Sequence, residues 1–206
     1  MPEPGREIAA TRIAQLELKD EQRLVQEGYS LLDEKRILLA HEIQRQLAHL
    51  TVLRREWTAL ENDARARTLA ALGRHGLDEL TVYPPLSTAA DRVVMRRSRL
   101  LGLELLDARL ETSPPPPTHE QAVNPTPEAR ACAKAHRDLL RRAVERAACE
   151  ANLRRLAAAY VRTERRAKAI ENVLMPEIAS SLKRVEEQLE AIDQEEMARL
   201  RRPPGQ

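Results

Sequence analysis

Apolar residues recur along much of this chain in steps of three and four. Ile43, Leu47, Leu50, Leu53, Trp57 and Leu60 form one series. Ile170, Leu174, Ile178, Leu182, Val185, Leu189 and Ile192 form another. Such steps keep side chains on one stripe of a helix. A mean step near 3.5 favours a left-handed supercoil, and the second series begins nearer to about 3.7, so its pitch should be loose. Gln46, Arg54, Lys183 and Glu187 fall off the stripes and are expected to face solvent.

Helix breakers divide the chain. Residues 8–72 contain no proline and one glycine, Gly28; residues 128–200 contain one proline, Pro176, and no glycine. Most of the prolines lie in residues 73–127, with Gly73, Gly76 and Gly102. Proline costs about 3 kcal/mol inside a helix and glycine about 1 kcal/mol. The pattern predicts an N-terminal helix over 1–72, a middle lobe and proline-rich connector over 73–127, and a C-terminal helix over 128–202. Residues 203–206 form a disordered tail, since Pro203 and Pro204 do not continue a helix comfortably. Neither helix can bury its stripe alone. The expected fold is all-α: a long antiparallel two-helix coiled coil with a small irregular middle lobe. In that pairing Ile13, Leu16 and Leu24 face the C-terminal segment.

Within the lobe, Gly73 or Gly76 can cap the first helix. Residues 91–97 (DRVVMRR) and 103–109 (LELLDAR) suit a short β-hairpin, with residues 98–102 between them. Residues 113–127 (SPPPPTHEQAVNPTP) read as an extended or disordered connector.

Composition agrees with long helices rather than an ordinary globular core. The 206 residues include no Phe, 2% aromatics and 32% charged side chains. The formal net charge is +2, so there is no general attraction to nucleic acid or anionic membrane. The N-terminus carries no signal-peptide pattern, and no stretch is apolar enough to span a bilayer. Cys132 and Cys149, on one helix, would lie roughly 25 Å apart at about 1.5 Å rise per residue, too far to bridge. Free thiols suit a reducing compartment.

Catalytic signatures are missing: the chain has no GxxxxGK[ST], GxGxxG, HExxH, GxSxG or CxxC pattern. His41 and His49 sit about 80° apart on a helix, without further ligands at matching spacing. No catalytic, cofactor or metal residue is assigned, and no cofactor is expected. Residues 130–168 are rich in Lys and Arg, which could serve nucleic acid, but no recognised nucleic-acid motif accompanies them. Pro176 interrupts the second periodic helix and is the expected site of a bend, because its ring clashes with the carbonyl of Asn172.

Three segments carry a family likeness, and the middle of the chain is compatible with it. Residues 162–178 (RTERRAKAIENVLMPEI), followed by a periodic run to 197–202 (MARLRR), resemble the C-terminal helix of the D subunit of V-type and A-type rotary ATPases. That helix bears a "TRRRVNALE" run and then "IP". Thr163, Arg165, Arg166, Ala169, Glu171 and Pro176 match it, while Glu164, Lys168 and Met175 depart from it. Thr11 and Arg12, with Leu16, Leu18 and Lys19, resemble the family's "PTR…L…LK" start, with Ala10 in place of proline. Residues 28–36 (GYSLLDEKR) resemble its "G(H/Y)xLLKxKR" segment, and residues 99–105 (RLLGLEL) are similar to its "NIMGVxVP" region.

The resemblance implies a non-catalytic central rotor shaft. Its partners would be the catalytic A and B subunits, the small F subunit and a membrane-side bridging subunit of the C/d type. There would be no direct nucleic-acid contact and no membrane contact except through partners. It also implies a cytoplasmic location, peripheral to the membrane, in the soluble V1/A1 sector. Thr11, Arg12, Lys19, Arg165, Arg166, Glu186, Glu187 and Arg199 are the expected region of contact with the hexamer. A charged surface poor in large apolar side chains would let those contacts exchange at each step, since exposed ion pairs are worth about 1 kcal/mol or less. The alternatives are a generic coiled-coil adaptor and a basic helical nucleic-acid binder. The gamma shaft of F-type enzymes usually has a larger globular middle domain than residues 73–127 could supply.

Overall fold

The computed structural model describes residues 9–81, 91–112 and 126–201, with the side chains of 79–81 left aside. Three helices and one hairpin follow in order. They are α1 (Arg12–Thr81), β1 (Arg92–Leu100), β2 (Leu103–Glu111), α2 (Pro127–Ala169) and α3 (Met175–Leu200). A π turn, Ile170–Leu174, joins α2 to α3. The connector after residue 112, the first eight residues and the tail assigned to 203–206 lie outside the described residues.

The starts of α1 and α2 follow from local chemistry. Thr11 caps α1: its hydroxyl accepts the Ala14 N–H at 3.1 Å and its carbonyl accepts the Gln15 N–H at 3.0 Å. Thr126 caps α2 in the same way, accepting from Ala129 at its hydroxyl (3.4 Å) and from Arg130 at its carbonyl (3.2 Å). Pro127 follows at the first helical position, where its fixed φ helps and its missing N–H costs nothing.

The first helix does not stop at 72. Gly73 stays helical, and the break comes at Gly76 (φ 73, ψ 172), after which helical geometry resumes to Thr81. A left-handed φ is cheap for glycine alone, so the interruption falls on the second of the two glycines.

The hairpin turn is tighter than the five residues 98–102. The strands pair antiparallel through Leu100↔Leu103, leaving only Leu101 (φ 51) and Gly102 (φ 81) between them. Two successive left-handed residues make a type I′ turn, whose twist matches that of the strands.

The chain forms two compact units. The first combines Met1–Leu38 with Tyr160–Gln206; the second is Leu39–Ala159. In the first, rising positions on α1 meet falling positions on α3. Arg12 reaches Asp193 (3.7 Å), and Lys19 reaches Glu186 (3.1 Å). Leu18, Ala167, Ile178 and Val185 are buried there. In the second, α1 and α2 run antiparallel. Gln46 meets Cys149, Glu56 meets Arg142, Thr68 meets His136, and His75 meets Thr126. Leu39 and Leu156 are fully buried, and Leu50, Leu53 and Cys149 form a cluster with Leu153 against it. Ala64, Ala71, Ala129, Ala135 and Ala159 are also buried, and small residues at a contact let helix axes approach closely.

The seam departs from the expected phase at three places. Leu47 is 49% exposed, whereas Gln46 is half-buried and touches Cys149. Positions 39, 46, 53 and 60 and positions 43, 50, 57, 64 and 71 are two series of strict seven-residue spacing, which selects Gln46 over Leu47. Ile13, Leu16 and Leu24 do not face the C-terminal segment; they are 63–70% exposed, and Leu18 takes the seam position instead. Leu174 and Ile192 are also largely exposed, while Ile170, Leu182 and Leu189 are half-buried.

Candidate partner-binding surfaces

The expected contact residues fall into two groups. The first engages its own chain. Arg12 pairs with Asp193, and Lys19 pairs with Glu186. Glu186 also accepts from the Gln15 side chain at 3.0 Å. These hydrogen bonds from Gln15 and Lys19 hold the Glu186 carboxyl below its ordinary range. Lys19 and Glu186 therefore tie α1 to α3. Thr11 serves as the α1 cap. The second group projects outward. Arg165 and Arg166 are exposed, while Glu187 and Arg199 make long pairs on their own helix, with Lys183 at 3.9 Å and Glu195 at 3.8 Å.

At Pro176 the helix widens rather than breaks. The Met175 N–H donates to the Ile170 carbonyl five residues back, and Leu174 and Met175 keep helical dihedrals. Proline at 176 has no N–H to give to Asn172. The wider turn just before it relieves the crowding between ring and carbonyl.

The second unit holds contacts that no sequence pattern announced. Asn152 is 5% exposed and grips the backbone of β2: its Oδ1 accepts the Leu106 N–H at 2.8 Å, and its Nδ2 donates to the Leu106 carbonyl at 2.7 Å. The register explains why those groups are available. Leu100↔Leu103 closes the turn, so Leu106, opposite Arg97, is a position whose N–H and C=O point away from β1. Glu104 occupies the same kind of position, and Arg155 donates to its carbonyl at 3.4 Å. The α2 surface thus completes the outer edge of β2. The other edge, on β1, carries Arg92, Arg96, Arg97 and Arg99, charges that discourage unplanned strand pairing.

Elsewhere, Arg146 stacks over Trp57 at 5.4 Å from the ring centre and pairs with Glu150 at 2.9 Å. Thr68 donates to the Ala64 carbonyl at 2.7 Å, so its oxygen is left to accept from His136 Nε2 at 3.0 Å. A cleft of about 600 Å³ lies beside the hairpin. Its cations are answered locally: Arg45 by Glu42 (2.8 Å), Arg142 by Glu56 (3.0 Å) and Arg109 by Asp107 (3.8 Å). Cys149 lies at this cleft; burial, and then the nearby Glu150 carboxylate, push its thiol up, away from nucleophilic thiolate. Among the described residues no group of three or more His, Cys, Asp or Glu could hold a metal ion.

The described surfaces lie along paired helices, and similarity to known proteins places them in a family. The family model for the D subunit of ATP synthase matches residues 14–203. The chain belongs to the ATP synthase D-subunit family. Similar relatives include the A-type ATP synthase D subunit of Thermococcus sibiricus, 24% identical over 95% of this chain and 92% of the relative. The V-type ATP synthase D subunit of Thermotoga neapolitana is 25% identical over 95% and 96%. That of Pyrococcus abyssi, A-type, is 24% identical over 95% and 92%. The matched span takes in the hairpin and both helical regions of this chain. D-subunit family members are components of a complex for ATP synthesis and ion transport. No helix among the described residues is long and apolar enough to cross a membrane.

Proposed function

We propose that this chain is the non-catalytic central-stalk rotor subunit of a V/A-type ATP synthase or ATPase. It transmits torque between the catalytic A/B hexamer and the ion-translocating membrane ring. One observation carries the reading: two long helical regions pair antiparallel within each unit, in a chain that the D-subunit family matches from residue 14 to 203. Torque transmission needs stiffness, and a long helix such as α1, uninterrupted from Arg12 up to its break at Gly76, supplies it.

The partners in this reading are the A and B subunits, the F subunit and a bridging subunit of the C/d type on the membrane side. The chain works at the membrane periphery, in the soluble sector. Arg165, Arg166, Glu187 and Arg199 meet the hexamer through exposed, exchangeable charges, joined by Thr11 and Arg12 near the start of α1. Lys19 and Glu186 contribute by keeping the helix pair closed. Pro176, with the π turn before it, sets a bend in the shaft.

The test is reconstitution of the A/B hexamer with and without this chain. Sustained ATP hydrolysis should require the chain, while the chain alone should hydrolyse none. Full, sustained turnover by a hexamer lacking it would leave a scaffold or adaptor as the better reading.

A further inference from the structure

The N-terminal half of α1 carries a second apolar stripe that the described residues leave uncovered. Ile13, Leu24, Leu31 and Leu38 are 70%, 68%, 67% and 53% exposed. At 100° per residue they fall within about 40° of one another, and roughly 110° from the seam that contains Leu18 and Leu39. Leu24, Leu31 and Leu38 recur every seven residues, the spacing at which one helix offers knobs to another. This contradicts the expectation of a surface poor in large apolar groups.

The flanks of the stripe are acidic. Asp20, Glu27 and Glu34 also recur every seven residues and lie beside the leucines, and Glu17 adds a further carboxylate; Lys35 lies on this face and Arg23 at its edge. Glu27 has an exposed partner, Arg23, at 3.1 Å. Leucines at heptad spacing between carboxylates match one kind of surface. They fit an amphipathic helix with apolar residues every seven positions and Lys or Arg beside them. A second copy of this chain would set carboxylates against carboxylates.

We infer that this outer stripe docks a basic amphipathic helix of another protein, which lies along α1 over residues 13–38 as a third strand of the bundle. The inference does not rest on the shaft reading: the docked helix could belong to any standing partner. Large apolar contacts of this kind favour a partner that stays in place over one that exchanges at every step.

The test begins with the full chain, carrying a benzoylphenylalanine at position 31, assembled into its native complex and irradiated. The expected product is a cross-link to another protein, within a helix whose apolar heptad positions are flanked by Lys or Arg. A synthetic peptide of that segment should bind the isolated full chain, and more weakly as salt rises. Leu31→Ala should weaken it by about fivefold or more, and Glu27→Lys with Glu34→Lys should weaken it further while helicity stays unchanged. A cross-link to a second copy, to a segment without basic flanks, or no cross-link at all would overturn the inference. So would peptide affinity indifferent to salt and to these substitutions. Requirement of the chain for ATP turnover is measured separately and can stand when this fails.

Discussion

Replacing Asn152 with alanine should release the hairpin while leaving the helices formed. Asn152 satisfies both backbone groups of Leu106, at 2.8 and 2.7 Å, from a site only 5% exposed. Each hydrogen bond contributes about 0.5–1.5 kcal/mol net, and a buried group left without a partner costs about 1–3 kcal/mol. Leu106 is half-buried, so water reaches part of the vacated site and the lower half of that range applies. The expected local loss is about 2 kcal/mol, or roughly thirtyfold in an opening equilibrium. The assay is amide hydrogen exchange, read at Leu106 and its neighbours on β2. Exchange there should accelerate by that factor, with little change in far-UV helicity. Asn152→Asp adds a pH signature. An ionised carboxylate still accepts the Leu106 N–H but repels the carbonyl, whereas a protonated one donates to it. Protection in the Asp variant should therefore recover as pH falls through the carboxyl's pKa. Unchanged Leu106 protection in Asn152→Ala would refute the claim that this side chain holds the hairpin.

Three further outcomes follow from the packing. Leu156→Ala empties a fully buried position in the second unit and should cost about 2–4 kcal/mol by chemical denaturation, with exchange rising first in residues 39–159. Gly102→Ala should cost about 1–2 kcal/mol, read as lowered Tm or faster β1 and β2 exchange. A Cβ there meets nothing within 4 Å, so the cost is the left-handed φ of 81 itself. Glu186 has its pKa lowered from the ordinary 4.5 by Gln15 and Lys19. Its contribution is therefore present above that value and lost as pH falls through the lower folded value. Glu186→Gln should flatten this acid-side decline in an unfolding titration.

The helices were legible because Pro and Gly are scarce over long stretches, and nothing in the middle of α1 contradicts helical propensity. The hairpin was legible from Val93, Val94 and the glycine at 102, but its register needed the strands themselves. Leu47 and Gln46 show the limit of periodicity. Steps of three and four both satisfy a helix, and only the partner helix decides which neighbour lies in the seam. The exposed series at Leu24 and Leu31 was hidden for the same reason, since a sequence with two apolar stripes does not say which one is covered at home. Asn152 left no signal at all. Its partner is 46 residues away and is backbone, so no spacing or residue type on β2 announces it. The proline at 176 signalled a local irregularity, but a π turn and a kink have the same sequence trace. Among the expected contact residues, Lys19 and Glu186 carried the right charges, yet their pairing across 167 positions depended on the fold.

The shaft reading is tested most directly by watching the chain turn. The A/B hexamer would be fixed to a surface and a bead attached through the hairpin at Arg97, an exposed β1 position. With ATP present, the bead should rotate in one direction, stepping through angles that divide the circle by three, and should stop when ATP is removed. A bead that stays still while the same hexamers hydrolyse ATP would contradict the account.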